Sequence, residues 1–201
     1  PPAWEAMGAV FNGTVRAIER RGTTTSAGGS CTASGATSTP YIARWNETSD
    51  VWENIGALNG TVYALKEFGG YLYAGGSFTS AGGVSTGGLA RWNGSSWSQV
   101  GGFFLGTVYA LEVFNGSLVI GGQFAGLPNG ANIARYDGAN YYNLGSGGTN
   151  GVGVRALRAN GGRLYAGGNF TSIGGVSANN LGWWTGAAWP DATGGTNFIV
   201  Q

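Results

Sequence analysis

Short runs of alternating apolar and polar residues fill the chain, and glycine-rich turns separate them. The sequence Gly-Thr-Val-Tyr-Ala-Leu occupies residues 60–65 and recurs at 106–111, with weaker copies at 13–18 and 152–157. The shared valines, Val15, Val62, Val108 and Val154, are 47, 46 and 46 residues apart. Alternation in short runs bounded by turns predicts strands, and a fixed spacing of this length predicts a repeat architecture.

Two further landmarks follow the valine in each repeat. A run containing a double glycine occupies residues 73–78, 119–124 and 165–170, and the first repeat has Cys31 where these runs end in phenylalanine. A run that ends in tryptophan or tyrosine comes next, at residues 42–45, 89–92, 133–136 and, degraded, 181–184. After a turn a second aromatic appears, at Trp52, Trp97, Tyr141 or Tyr142, and Trp189. Each repeat is therefore predicted to form four short strands.

Four strands in roughly 40 to 50 residues are typical of a β-propeller blade, in which neighbouring blades bury each other's faces. Period-2 patterning, abundant glycine and the lack of any long amphipathic run argue against a helical solenoid. The fold class predicted here is all-β: a β-propeller of four-stranded antiparallel blades, with about 46 residues per blade.

The landmarks divide one propeller region, residues 1–201, into blades at 13–59, 60–105, 106–151 and 152–194. Residues 1–12 are predicted to be the last strand of a preceding blade, because residues 4–8 match residues 52–56. Residues 195–201 are predicted to begin a further blade. Four repeats and one unmatched strand do not make a tidy four-bladed ring, so we expect part of a larger propeller or one completed by another molecule.

A double glycine that closes one strand, followed by two aromatics a few residues apart, resembles the Kelch-type blade over nearly the whole chain. Residues 73–83 with 89–94 further resemble repeats of secreted bacterial proteins and of the fungal cell-surface cortical polarity markers. The resemblance implies a propeller ectodomain of a secreted or cell-surface protein, without a shared catalytic motif. Kelch-type propellers also include copper-radical oxidases, whose metal requires histidine ligands.

The residue types exclude several kinds of chemistry. The chain has no histidine, which excludes Ser-His triads, histidine metal sites and histidine acid–base catalysis. Its nine acidic residues are scattered rather than paired, and no double glycine continues into the Lys-Ser/Thr of a phosphate loop. We therefore predict no catalytic residue, no cofactor and no metal site.

Charge is sparse, with a net charge of +1 and 9% charged residues. No block of like charges exceeds the pair Arg20 and Arg21, and no apolar run approaches the ~18 residues of a spanning helix. We expect neither nucleic acid as a partner nor membrane insertion of this segment. Uncharged polar groups or attached sugar must solvate the surface instead.

Six N-glycosylation sequons give a modest excess over chance, although repetition and Asn-Gly turns inflate the number. Their acceptors are Asn12, Asn46, Asn59, Asn93, Asn115 and Asn169. Together with the single lysine, they favour an extracellular or cell-surface glycoprotein. Residues 21–39, rich in Thr, Ser, Gly and Ala, are predicted to be a flexible loop or, alternatively, a carrier of O-linked sugar.

Several residues allow two interpretations. Arg44, Arg91 and Arg135 share one repeat position, where they either line an anion site or stack on aromatics and bond a neighbouring blade. The repeated aromatics either pack the blades or form sugar-stacking platforms. Ligand-facing candidates are the aromatics outside the repeat rule: Phe103, Phe104, Tyr141 and Trp183. The lone Cys31 is either a buried apolar residue or bonded to a partner.

These observations give one leading function hypothesis and two alternatives. The first is a non-enzymatic structural or adhesive module, a subunit of an extracellular filament, wall layer or matrix, whose partners are copies of itself or other surface proteins. The second is a carbohydrate-binding, lectin-like propeller with glycans as partners. The third is the non-catalytic part of a larger secreted oxidase, with histidines elsewhere.

Overall fold

The computed structural model of the protein describes residues 5–101, 105–125, 131–146 and 148–191. Regular secondary structure in these residues is entirely β, without a helix, so the predicted all-β class is confirmed. The chain forms two compact units, Pro1–Val100 and Gly101–Gln201. Each unit contains two of the repeats found in the sequence.

The first repeat forms the sheet that we call sheet 1. Its strands are β1 (Val15–Arg21), β2 (Thr24–Gly29), β3 (Ala33–Ser34), β4 (Thr37–Ser38), β5 (Ile42–Asn46) and β6 (Val51–Glu53). Strands β1, β2, β5 and β6 pair antiparallel in that order, and β3 pairs with β4 as a separate small hairpin. The prediction of a flexible loop at residues 21–39 is wrong, because this segment contains β2, β3 and β4. Small Ser, Thr and Gly side chains here fit a buried strand beside its neighbour.

The second repeat forms sheet 2 by the same plan. Its strands are β7 (Val62–Phe68), β8 (Tyr71–Gly76), β9 (Ser80–Ala81), β10 (Val84–Ser85), β11 (Leu89–Trp92) and β12 (Trp97–Gln99). Strands β7, β8, β11 and β12 form the four-stranded antiparallel sheet, and β9 with β10 forms the small hairpin. The chain thus runs back and forth across each sheet and inserts one hairpin between its two middle strands.

The third repeat forms sheet 3, which opens the second unit. Its strands are β13 (Leu105–Phe114), β14 (Ser117–Ala125), β15 (Ile133–Tyr136) and β16 (Tyr141–Tyr142), paired antiparallel in that order. The predicted four-stranded antiparallel sheet is therefore present in each of the first three repeats.

The fourth repeat forms sheet 4 with three strands instead of the predicted four. Its strands are β17 (Gly153–Asn160), β18 (Arg163–Asn169), β19 (Ser172–Ile173), β20 (Val176–Ser177) and β21 (Leu181–Trp184). Strands β17, β18 and β21 form the sheet, and β19 pairs with β20. Pro190 follows Trp189 at the place that Ser98 holds in β12, and a proline has no N–H to pair with the neighbouring strand.

Each first strand has a β-bulge at the same position. The register against the second strand shifts between Val15 and Ala17, and at the equivalent steps of β7, β13 and β17. The extra residues are Arg16, Tyr63, Tyr109 and Arg155. A bulge turns its extra side chain away from the regular alternation, so these four residues point where an ordinary strand residue would not.

Neighbouring sheets in a unit share an apolar core. In the first unit this core includes Ile42 of sheet 1 with Val62, Leu65 and Trp97 of sheet 2. In the second unit it includes Ile133 of sheet 3 with Val154 of sheet 4 and Trp189, which follows the last strand of that sheet. Burial of these side chains between sheets supplies the main stabilisation, because an isolated small sheet exposes one apolar face.

Some predictions fall outside the described residues or stay untested. Trp4, the whole of the predicted strand at 195–201, and the aromatics Phe103 and Phe104 lie outside the described residues. The blade boundaries and the propeller arrangement stay predictions. No helix long and apolar enough to cross a membrane occurs in the part of the chain that the structure describes.

Candidate functional site

The bulge residues of the first strands meet in pairs within each unit. In the first unit the Arg16 guanidinium lies over the Tyr63 ring, with Cζ 5.5 Å from its centroid. In the second unit Arg155 lies over Tyr109 at 4.3 Å. A guanidinium over an aromatic face within about 6 Å is attracted by the ring's quadrupole. The bulges therefore connect one sheet to the next through cation–π contacts.

A carboxylate reinforces the connection in the first unit. Glu19 on β1 accepts a hydrogen bond from the Glu67 backbone N–H on β7, at 2.9 Å. Arg21 lies 4.0 Å from the Glu67 carboxylate, and both side chains are more than a third exposed, so this ion pair contributes little. The charged groups of these strands serve contacts between sheets.

The arginines at the shared third-strand position do not all make the same contact. Arg91 lies over the Tyr71 ring at 4.7 Å, and Arg135 lies over Tyr142 at 4.4 Å. Arg44 instead forms an ion pair with Glu53 at 2.7 Å. Stacking on an aromatic, one of the two interpretations of these arginines, thus holds for two of them.

The repeated tryptophans anchor the segment that enters each sheet. Each tryptophan donates its indole N–H to a backbone carbonyl oxygen. The pairs are Trp52 with Met7 (3.0 Å), Trp97 with Ile55 (2.7 Å) and Trp189 with Leu144 (2.8 Å). All three rings are buried. These tryptophans are therefore packing residues, and a sugar could not stack on them in this arrangement.

A glycine lies beside the anchoring ring at two of the three segments, those held by Trp97 and Trp189. Gly56 has a φ of +103°, and a Cβ atom added to it would lie 2.9 Å from Trp97 Cδ1. Gly145 has a φ of +83° and the same separation from Trp189 Cδ1. Both the left-handed backbone and the close ring require glycine here.

Three asparagines form a side-chain clamp between the start of a repeat and its small hairpin. Asn59 Oδ1 accepts from the backbone N–H groups of Thr79 (2.8 Å) and Ser80 (2.9 Å), while its Nδ2 donates to Thr79 Oγ1 at 2.9 Å. Asn12 makes the same bonds to Thr32 and Ala33, and Asn150 makes them to Thr171 and Ser172. Asn150 is not part of a sequon, so this position selects asparagine for its hydrogen bonds.

The structure separates the six sequon asparagines into three environments. Asn12 and Asn59 belong to the clamp. Asn46 and Asn93 accept backbone N–H groups of their own turns and donate to Glu53 and Ser96 respectively. Asn115, in the β13–β14 turn, and Asn169, at the end of β18, are exposed and make neither the clamp bonds nor the turn bonds of the other four. These last two present their side chains best for modification.

The predicted ligand-facing aromatics are not gathered into one site. Phe103 and Phe104 lie outside the described residues. Tyr141 begins β16, is half-buried and packs on Tyr136 with ring centroids 4.7 Å apart, as the repeated tryptophans do. Trp183 lies on β21 in sheet 4, half-buried, with the Arg163 guanidinium 5.8 Å from its ring centroid. Whether either binds a ligand stays a prediction.

Two grooves between sheets 1 and 2 were not predicted from the sequence. One has a volume of about 490 Å³, and the side chains that give it its chemistry are Arg44, Asn54, Trp92 and Ser96. The second, of about 450 Å³, shares Arg44 and Trp92 and adds Arg21 and Glu67. An aromatic face beside hydrogen-bonding groups suits a polar ligand such as a sugar.

Within the part of the chain that the structure describes, the Glu53 and Asp137 carboxyls and the Cys31 thiol have displaced pKa values. The Asn46 side chain and then the Arg44 guanidinium hold the pKa of the Glu53 carboxyl below its usual range. Backbone N–H groups of Asn140 and Ala139 lower the pKa of Asp137. Burial raises the pKa of the Cys31 thiol, which is free and fully buried, as the apolar interpretation requires. The described residues contain no cluster of three or more acidic or cysteine side chains able to hold a metal.

Comparisons with known proteins reveal a likeness of fold. No protein-family model matches the chain, and no curated protein matches it. Among solved structures, the computationally designed Ika4 protein is similar, with a TM-score of 0.55 and 13% identity over 90% of this chain and 98% of that one. The computationally designed Ika8 protein has a TM-score of 0.49 and 15% identity, and the match covers 89% of this chain and 49% of that one.

Proposed function

We propose that the chain is a non-enzymatic, secreted or cell-surface propeller module with a structural or adhesive role, a subunit of an extracellular filament, wall layer or matrix. Its antiparallel sheets are, in this proposal, propeller blades of the Kelch type. The partners are other copies of the chain or other surface proteins.

The observation that carries the proposal is the use of the repeated side chains. Trp97 donates its indole N–H to the Ile55 carbonyl, and Asn59 uses both amide atoms on Thr79 and Ser80. The same contacts recur in other repeats, at Trp189 and Asn150 for example. What the repeats preserve is therefore a set of contacts that holds sheets and hairpins together, which is the property of a scaffold.

Packing between sheets supports the propeller part of the proposal. Four-stranded antiparallel sheets whose middle strands face the first strand of the next sheet are the building plan of propellers. Gly28 on β2 lies against Val62 and Leu65 on β7, and Gly121 on β14 lies against Val154 and Leu157 on β17. Both units thus use one mode of packing.

Surface chemistry supports the extracellular part. Only 9% of the residues are charged, so hydroxyl and amide groups solvate most of the surface. Asn115 and Asn169 are exposed within sequons and offer positions for glycans. Sugar at these positions would compensate for the low charge.

Immunogold labelling of the source cells, with an antibody against the folded chain, tests the proposal. We expect label outside the plasma membrane, on an ordered layer, fibre or matrix that cryo-electron microscopy of the native material can image. Label confined to the cytoplasm, or spread as a dilute secreted species without any assembly, contradicts it.

Carbohydrate binding is the second candidate, and the grooves between sheets 1 and 2 favour it, because Trp92 and Arg44 line both. A glycan array would show binding that Arg44→Ala abolishes and Arg135→Ala retains. Loss of binding in Tyr141→Ala or Trp183→Ala would instead assign the site to the aromatics predicted from the sequence. An array without any bound glycan contradicts this candidate.

A further inference from the structure

Neighbouring sheets interlock through a glycine on one sheet and a pair of branched side chains on the next. A Cβ atom added to Gly28 would lie 2.6 Å from Val62 Cγ1 and 3.4 Å from Leu65 Cδ1. At Gly121 the same atom would lie 2.7 Å from Val154 Cγ1 and 3.2 Å from Leu157 Cδ1. Separations this short leave no room for a side chain, so each interface is a glycine step filled by a valine and a leucine.

Sheet 1 exposes its own copy of the branched pair, Val15 and Ile18, which we call the Ile18 face. Ile18 is 67% exposed, whereas the equivalent Leu65 and Leu111 are 6% and 7% exposed. Val15 is half-buried, although the valines at its position in the other three repeats are fully buried. Leu157, the fourth residue at this position, is half-buried, so Ile18 is the most exposed of the four and lacks a neighbour of the kind that covers its equivalents.

Sheet 4 exposes its own copy of the glycine step, which we call the Gly167 face and define by Gly167, Tyr165 and Leu181. A Cβ atom added to Gly167 would meet nothing closer than the Asn180 carbonyl oxygen, at 3.8 Å. Tyr165 is half-buried, whereas Tyr73 and Val119 at the same position of sheets 2 and 3 are buried. Leu181 is also half-buried, whereas its equivalents in the other three sheets are buried: Ile42, Leu89 and Ile133.

We infer that the Ile18 face of one molecule binds the Gly167 face of a second copy of this chain. Each face is one half of an interface that the chain forms twice within its own units, so the surface that fits it is a repeat of the same kind. The inference rests on the proposed structural function and names its partner. The two faces differ, so the association is head-to-tail, which produces a ring if the rotation closes and a filament if it does not.

Charged residues near the two faces act in opposite directions. Glu19 and Arg158 occupy the same repeat position on sheets 1 and 4 and have opposite charges, which favours association. Arg16 and Arg155 also share a position and have like charges, although each is stacked on a tyrosine of its own unit. Because these contributions oppose each other, apolar contact of Ile18 with the glycine step is the main source of affinity.

Two substitutions test the two faces separately. Ile18→Arg places a charge where an apolar contact is needed, and Gly167→Val fills the step, in space that the single molecule leaves open. Val51→Arg is the matched control, because Val51 is also an exposed apolar residue but lies on β6, at the opposite edge of sheet 1 from Ile18. Circular dichroism and thermal melts establish that all three variants fold.

Sedimentation equilibrium of the 201-residue chain measures the association. We expect the wild type and Val51→Arg to associate reversibly. Ile18→Arg or Gly167→Val should each raise the dissociation constant by about 50-fold, the effect of losing one buried aliphatic side chain from the interface. Mixing Ile18→Arg with Gly167→Val leaves one intact interface, so a dimer of the two variants must form and grow no further.

Each other outcome contradicts the inference. If the wild type is still monomeric at a protein concentration of about 100 µM, where a complex with a micromolar dissociation constant would form, something other than a second copy covers these faces. Association that survives both substitutions, or a mixture that forms no dimer, shows a different interface. A monomer that is nevertheless found in an extracellular layer rejects this inference alone, whereas an associating chain found only in the cytoplasm rejects the proposed function alone.

Discussion

Arg163 and Trp183 form the same cation–π pair as Tyr71 and Arg91, with the cation and the ring exchanged. Arg163 occupies on β18 the position of Tyr71 on β8, and Trp183 occupies on β21 the position of Arg91 on β11. The guanidinium lies 5.8 Å from the ring centroid in sheet 4 and 4.7 Å in sheet 2. In sheets 2 and 4, unlike sheets 1 and 3, these two positions therefore hold one cation and one ring, in either order.

Exchanging the two residues of sheet 4 tests this pairing. Trp183→Arg alone places two arginines together, and Arg163→Trp alone places two tryptophans together. Because Trp183→Arg removes the cation–π contact, we expect it to lower the free energy of unfolding by about 1 kcal/mol. The double variant recovers most of that loss, because it restores the arrangement of sheet 2. Urea denaturation of all four proteins gives the coupling energy. Additive effects of the two substitutions would contradict the pairing.

Loss of the indole N–H in Trp97→Phe leaves the Ile55 carbonyl oxygen without its 2.7 Å donor in a buried environment. We expect the free energy of unfolding to fall by about 2 kcal/mol, from the lost hydrogen bond and the smaller ring. Trp92→Phe is the control, since Trp92 is half-buried in the same core. The anchoring role is rejected if the two variants lose equal stability in urea.

The asparagine clamp predicts that Asn150→Ala is as costly as Asn59→Ala, although only Asn59 belongs to a sequon. Each substitution removes the acceptor of two backbone N–H groups at the small hairpin, and because these bonds are exposed to water we expect a loss of about 0.5 to 1.5 kcal/mol. Asn169→Ala, whose side chain is equally exposed but lies outside the clamp, should have little effect. Thermal melts rank the three variants, and a harmless Asn150→Ala would show that the clamp adds nothing.

Glycan occupancy should follow the three environments of the sequons. After secretion from a eukaryotic host, we expect glycan on Asn115 and Asn169, and folded protein without glycan on Asn12 and Asn59. A glycan attaches to Nδ2, the atom that donates to Thr32 and Thr79 in the clamp, so it would compete with those hydrogen bonds. Glycopeptide mass spectrometry measures occupancy at each position. Full occupancy of Asn59 in protein as stable as the unmodified form would contradict the prediction.

Acid should weaken the contribution of Glu53. Its pKa is lowered in the folded protein by Asn46 and Arg44, so the ionised carboxylate stabilises the fold above the unfolded pKa, and this stabilisation is lost as the pH falls through the folded pKa. We expect the difference in unfolding free energy between wild type and Glu53→Gln to shrink below about pH 4.5, from a few tenths of a kcal/mol, because the pair is about one-third exposed. Glu47→Gln controls for the loss of one charge. A constant difference from pH 7 to pH 3 would contradict it.

The main strands could be predicted from the sequence because the landmarks that define them are packing requirements repeated four times. The double glycine at residues 75–76 lies on β8, and Trp92 and Trp97 lie on β11 and β12 as the pattern indicates. The small hairpins were missed, because two-residue strands such as β9 and β10 are too short to show alternation. Residues 21–39 were misread because composition alone does not separate a Ser/Thr-rich buried strand from a loop.

Side-chain partners were harder to predict, since they depend on register. Arg163 and Trp183 are 20 residues apart in the sequence, and only the pairing of β18 with β21 brings them together. The bulge was equally hidden, although its residue is arginine in the first and fourth repeats and tyrosine in the second and third. Asn150 carried a usable signal: it precedes glycine at the start of its repeat, as Asn12 and Asn59 do.

The clamp has a consequence for how such a chain changes its number of repeats. Asn59 and Thr79, the two partners of the clamp, are 20 residues apart. In the third repeat the corresponding residues are Leu105 and Ala125, which pair in register, so both partners of the clamp are replaced there together. Gene duplication or recombination that cuts between the two positions would join an asparagine to an alanine, or a leucine to a threonine. Viable crossovers, and the junctions of chimaeras built from these repeats, therefore fall between Thr79 and the start of the following repeat.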